Sequence, residues 1–204
     1  MTHKRLHLLA AAAMMVSGLL LGFAYMSHPE HVSTRVIASS GWFAIHALFM
    51  VSLIIGLLGT TGFYARFATA TGVPGLVGYL LLFVGMMLIA GLDYYEMFIA
   101  PYLAIEFPTI IEAHGAGDAM GPVAAAFPVS GALTVLGFAL LGVATLRGSS
   151  EIGKGALIAL IVSALVFGVG LSPLGGISFA QTGAGVFGLS LIWVGWCYWR
   201  CVDG

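Results

Sequence analysis

His46, Asp93 and Glu96 are the side chains in this sequence that could do chemistry at membrane depth. Asp93 and Glu96 stand three residues apart in Gly91-Leu92-Asp93-Tyr94-Tyr95-Glu96-Met97-Phe98-Ile99-Ala100-Pro101, so a helix puts both on one face. That stretch closes an apolar run of membrane-spanning length, where a carboxylate is costly unless a partner or a function meets the cost. An imidazole facing a carboxylate would satisfy both groups where water is scarce. Three chemistries follow. In a metal site, His46, Glu96 and Asp93 supply nitrogen and oxygen ligands that suit a transition metal such as zinc, copper, nickel or non-haem iron, with His28, Glu30, His31 and His114 from outside the membrane to complete the set. In a haem site, His46 is the axial ligand. In proton-coupled transport, Glu96 and His46 titrate together. Against these stands a plainer reading. Acids at a helix end meet headgroups and water and need no function, and a histidine within a span is satisfied by one interhelical hydrogen bond.

The elements that must position these residues are helices in a bilayer. The 204 residues are 60% hydrophobic and only 7% charged, with a mean hydropathy of +1.08. Soluble domains carry about 25% charged residues, and a chain this short has too little interior to hide so much apolar surface. A net charge of −1 without a basic block excludes nucleic acid as a natural partner. Cys197 and Cys201 form neither a zinc-finger spacing nor a disulfide framework. Apolar runs predict an all-α integral membrane bundle of six transmembrane helices in one domain, with spans at 6–26, 41–65, 73–98, 124–146, 155–171 and 177–199. The first run is read as a retained helix, since a cleaved signal peptide has a shorter apolar core. A link covers 66–72. A longer outer loop covers 99–123, within which Thr109-Ile110-Ile111-Glu112 fits a capping box and Gly115 a helix stop. Gly18-Leu19-Leu20-Leu21-Gly22 offers a small face for close helix packing, Gln181 is expected in an interhelical hydrogen bond, and the methionines are expected to pack.

Lysine and arginine set the orientation. Lys4, Arg5, Arg66, Arg147, Lys154 and Arg200 fall on the side of the N-terminus and only Arg35 on the other, which predicts cytoplasmic N and C termini in a bacterial inner membrane. Tyr25, Trp42, Tyr94, Tyr95 and Tyr102 are expected in the outer aromatic belt, and Tyr64, Trp196, Tyr198 and Trp199 in the inner one. His46, Asp93 and Glu96 then share the outer layer.

The run from Trp42 to Ala47 through Tyr64-Ala65-Arg66, the Gly75 to Gly85 segment, Tyr95-Glu96 to Pro101, and Gly121-Pro122 resemble a group of small polytopic bacterial membrane proteins with no assigned activity. The resemblance implies a bacterial polytopic fold and no particular chemistry. No phosphate-binding loop, nucleophile elbow or zinc-protease motif is present. Small size and short loops make an accessory or structural subunit of a membrane complex the leading expectation, partnered by the bilayer and by other membrane subunits or further copies of itself. A metal- or haem-binding protein with a polar site near the outer leaflet comes next, and a small proton-coupled transporter last, because no charge falls near the centre of any span. Nothing in the sequence demands an enzyme.

Overall fold

In lipid a backbone must satisfy its own hydrogen bonds, and helices are the local solution. The computed structural model, which describes residues 3–30, 32–114, 122–172 and 176–203, is accordingly all-α, with no strand among them. The order is α1 His3–Ser27, α2 Thr34–Ile37, α3 Ser40–Tyr94, a π-helical turn Tyr95–Ile99, α4 Ala100–Glu106, α5 Pro108–His114, α6 Pro122–Gly148, α7 Lys154–Gly170 and α8 Gly176–Asp203. Ser39 starts α3, its side-chain oxygen accepting the Trp42 backbone N–H. Among the described residues four helices are long and apolar enough to cross a membrane: His3–Ser27, the stretch Ser40–Glu106, Ala125–Gly148 and Gly176–Asp203. The apolar helix Lys154–Gly170 is shorter.

Helix α3 is a hairpin. Gly72 has φ 57° and ψ −149°, a backbone open to glycine, and Pro74, which has no N–H to place, follows two residues later. The arms 40–71 and 73–94 run back along each other. The Thr61 and Tyr79 hydroxyls lie 3.0 Å apart and the Tyr64 and Tyr79 rings stack at 4.5 Å. A straight helix would hold positions 64 and 79 about 22 Å apart. The link expected over 66–72 is therefore helical up to Thr71 and turns at one residue. The loop expected over 99–123 is also largely helical where described: the π-helical turn ends the second arm, α4 and α5 follow, and Pro108, one residue before the expected capping box, opens α5. Gly115 lies outside the described residues.

Six helical segments close into a ring. The first arm of α3 packs on α1, with Gly59 against Met14. The second packs on α6, with Gly78 against Leu141 and Gly137 against Leu82. Helix α6 meets α7 where Gly168 faces Val135, α7 meets α8 where Gly170 faces Ala180, and α8 returns to α1 where Gly188 meets the backbone of Gly18. Gly22 approaches Gly185 at the same crossing, so the small face expected on α1 is used.

One end of the ring is filled. Tyr198 is wholly buried against Phe63 and Phe67, donates its hydroxyl to the Gly62 carbonyl at 3.0 Å and takes the His7 Nδ1 at 2.7 Å. The same end carries the ion pairs Lys4–Asp203 at 3.2 Å and Arg66–Glu151 at 2.6 Å, the first of which joins the two ends of the chain. Tyr198, Trp42 and Tyr25, expected in the aromatic belts, turn into the bundle instead. Tyr94, Tyr102 and Trp196 stay exposed.

The crossings have no room for a Cβ where backbone faces backbone. Gly137→Ala, against the Leu82 backbone, is expected to cost about 1–3 kcal/mol of stability in detergent. Gly91→Ala, which meets nothing within 4 Å, is expected to add about 0.5–1 kcal/mol. Thermal unfolding of the two variants beside the parent checks both signs.

Candidate functional site

Inside the ring, above the Tyr198 plug, lies a cavity of about 860 Å³ to which all six segments contribute. Its lower part is apolar: Met14 and Leu21 of α1, Met86 and Ile89 of the second arm, Phe138 of α6, Phe167 of α7, Phe187 and Leu191 of α8. The hydroxyls among them are already engaged. Ser17 and Ser52 each donate to the other's carbonyl, at 2.9 and 3.0 Å, tying α1 to the first arm. Thr60 donates to the Gly56 carbonyl and Thr134 to the Ser130 carbonyl within their own helices. The upper part is polar and holds His28, Trp42, His46, Asp93, Glu96 and, at the rim, Glu112. No lysine or arginine lines the cavity among the described residues.

Trp42 organises the upper part. Its indole N–H donates to the backbone carbonyl of Glu96 at 2.8 Å. That carbonyl lies in the π-helical turn, where Ala100 N–H reaches back five residues to Tyr95 and the regular ladder is interrupted. Trp42 thus supplies a donor to a buried carbonyl and fixes where the second arm carries Glu96. Its own carbonyl accepts from His46 Nδ1 at 3.0 Å, one helical turn on. A carbonyl can only accept, so Nδ1 holds the proton and the neutral ring keeps its Nε2 lone pair. His28 repeats the device, Nδ1 donating to the Pro29 carbonyl at 3.0 Å. The two imidazoles meet at 5.5 Å between ring centres, with Trp42 at 4.4 Å from His46 and 5.4 Å from His28. Gln181 donates to the His28 carbonyl at 2.9 Å, so that amide ties α8 to the link after α1 and not, as expected, to another helix.

The acids are inside. Asp93 is 8% exposed and Glu96 5%, so both turn into the bundle and away from its surroundings. Asp93 Oδ2 is buried with no hydrogen-bond partner among the described residues. Tyr25 packs its ring edge-on against Phe49 and Phe167 beneath the polar part, at 4.7 and 5.0 Å.

His46, Asp93 and Glu96 therefore share one cavity, and His28 joins them from the link. Glu112 reaches the rim. His31 lies outside the described residues, and so does the side chain of His114. Glu30 is exposed. No group of three or more His, Cys, Asp or Glu is placed to hold a metal among the described residues. With their rings in edge contact, His28 and His46 as they stand leave no gap for a macrocycle between them. Trp42 and Tyr25 are the site residues that the sequence did not single out. The one available signal was the four-residue step from Trp42 to His46, which stacks them on a helix face.

Two measurements bear on this arrangement. Trp42→Phe keeps the ring and removes the donor to the Glu96 carbonyl. It is expected to lower stability by about 1–3 kcal/mol in thermal unfolding. His28, outside the spans, is held by burial below the ordinary histidine value, against the opposing effect of its bond to Pro29. The unfolded chain then takes up the His28 proton first, so stability falls as pH drops through about 6.5 and on to the lower folded value. His28→Gln is expected to flatten the slope of melting temperature between pH 7 and pH 5. An unchanged slope would show that His28 titrates alike in both states.

No protein-family model, curated protein or solved structure matches this chain.

Proposed function

We propose that this chain is a six-span protein of a bacterial inner membrane, with N and C termini in the cytoplasm, that binds a small amphipathic molecule in the ring cavity and receives it from the outer face. The observation that carries this reading is the closed ring itself. It surrounds about 860 Å³ with an apolar lower part, a polar upper part and a filled floor at Tyr198. Cavities of about 300–1,000 Å³, mostly apolar with a few placed polar groups, are what small-molecule sites look like. An accessory subunit whose work is done on its outer surface has no use for an enclosed space with buried carboxylates. The outer surface here suits lipid, with Leu19, Leu58 and Leu189 about two-thirds exposed. Orientation rests on the clustering of Lys4, Arg5, Arg66, Arg147, Lys154 and Arg200 toward the end that holds the Tyr198 plug, which directs the polar mouth outward. Transport by the same chain would require that plug to open, and binding does not.

A transition metal or haem at the mouth is the second reading. It is favoured by two imidazoles whose Nδ1 protons are tied to carbonyls, the anchoring that frees Nε2 for a ligand bond. An absorption spectrum and elemental analysis of gently purified protein would reveal either one.

Thiol labelling tests the main reading. In a Cys197→Ser, Cys201→Ser background, Thr134→Cys (in the cavity) is expected to react with a membrane-impermeant methanethiosulfonate added to intact cells. Leu189→Cys, on the lipid side of α8, is expected to stay silent, and Lys154→Cys to react only after permeabilisation. Labelling of Thr134→Cys only from the inside, or from neither side, would overturn the outward-open pocket.

A further inference from the structure

We infer that the cavity selects an organic amine, its ammonium group set against Asp93 and Glu96 and its apolar body in the space below. This rests on the reading of the cavity as a ligand pocket and goes further, to the charge of the ligand. The upper part is rich in acceptors and poor in donors. Two carboxylates, 8% and 5% exposed, line it, and a third, Glu112, stands at the rim. Neither ion pair among the described residues is near, since both lie at the plugged end. Arg35, on α2 at this end, is exposed and does not line the cavity.

Three of the donors at the mouth are already used, and the Tyr25, Ser33 and Thr34 hydroxyls also line the space. The Trp42 indole N–H goes to the Glu96 carbonyl, and both imidazole Nδ1 protons go to carbonyls. Open to a ligand are the Asp93 Oδ2 lone pairs, which meet no donor among the described residues, and the Nε2 lone pairs of the two imidazoles. A carboxylate or phosphate ligand would set its charge against Asp93, Glu96 and Glu112, with hydroxyls to accept from and no lysine or arginine among the described lining residues. A neutral hydroxyl would bring one donor. An ammonium brings three donors and the charge that a buried carboxylate lacks. Trp42 and Tyr25 border the same space, and aromatic rings attract a cation through their quadrupoles. Below them Met86, Phe138 and Phe167 offer a surface for an alkyl or aryl body.

Equilibrium dialysis of the full chain in lipid nanodiscs, with empty nanodiscs subtracted, tests this with three matched probes: 2-phenylethylamine, 2-phenylethanol and 3-phenylpropanoate. The amine is expected to bind at least about tenfold tighter than either of the others. Asp93→Asn, which keeps shape and removes the charge, is expected to weaken the amine by about tenfold or more and to leave the alcohol unchanged. If Asp93→Asn does not fold, Glu96→Gln and the three-probe ranking on the parent chain decide the matter alone. Equal binding of alcohol and amine, or tighter binding of the acid, would overturn the charge selection while leaving the pocket in place. Binding of none of the probes, with Thr134→Cys still labelled from outside, would overturn the amine and keep the open cavity. Loss of both results would remove the pocket with it.

Discussion

The architecture depends on how closely α8 can return to α1. Five of the six contacts around the ring join segments that follow one another along the chain, and short connections bring such segments together. The sixth joins the first helix to the last and has no connection to enforce it. It is made by backbone on backbone, Gly18 against Gly188, with Gly22 and Gly185 beside them. In lipid there is no hydrophobic drive between helices, so closure must come from close van der Waals contact, and small residues are what permit it. If the crossing opens, the six segments become a curved sheet of helices with an exposed concave side. With it closed, the same side chains enclose a cavity.

Closure also sets the polar chemistry. An apolar ring around a space of this size needs only apolar residues inside, yet the chain places two carboxylates and two imidazoles there. The protein satisfies most of the polar atoms locally. Ser17 and Ser52 bond reciprocally across a helix contact, Thr60 and Thr134 bond back to their own helices, and His28 and His46 bond to nearby carbonyls. The π-helical turn is part of the same arrangement. A regular helix through 95–99 would keep its carbonyls in its own ladder. The wider turn makes the Glu96 carbonyl available to an indole 54 positions earlier in the chain, and this bond couples the start of the first arm to the end of the second.

Most of the helical fold was legible because membrane composition leaves few alternatives. Runs of apolar residues mark helices whether or not their neighbours are known, and five of the six expected runs fall within the observed helical segments, the run 155–171 passing the end of α7 by Leu171 alone. Boundaries were less legible. Arg66 and Ala70 look like loop residues because the run loses hydropathy there, but a helix can extend past the apolar layer. The turn itself needs only Gly72 and the proline that follows. The outer segment 99–123 was read as a loop holding one short helix opened at Thr109–Glu112, and it is helical over 100–106 as well as over 108–114, since local hydrogen bonding does not require apolar residues. At the site, the shared depth of His46, Asp93 and Glu96 followed from helix rise alone. Their convergence on one interior did not, because hydropathy does not tell which face of a uniformly apolar helix looks inward. Tyr25, Trp42 and Tyr198 were misplaced for that reason: an amphipathic ring belongs equally well at a headgroup layer or beside a polar pocket.

The unpaired Asp93 oxygen is the sharpest departure from a structure built for stability alone. Leucine or asparagine at that position would fill similar space without burying a charge, and exchanging buried ionic groups for apolar ones is often neutral or stabilising. Ser17, Ser52, Thr60, Thr134, Trp42, His28 and His46 each have a bond that offsets their burial. Where local rules of folding are broken without compensation inside the protein, a functional demand is the usual cause. Among the described residues that compensation is missing, and a ring closed by Gly18 against Gly188 with Tyr198 filling its floor leaves the mouth as the open side toward Asp93. The cavity and the acid therefore fit one reading: a carboxylate oxygen with no donor among the described residues lines a space large enough for an occupant that brings one.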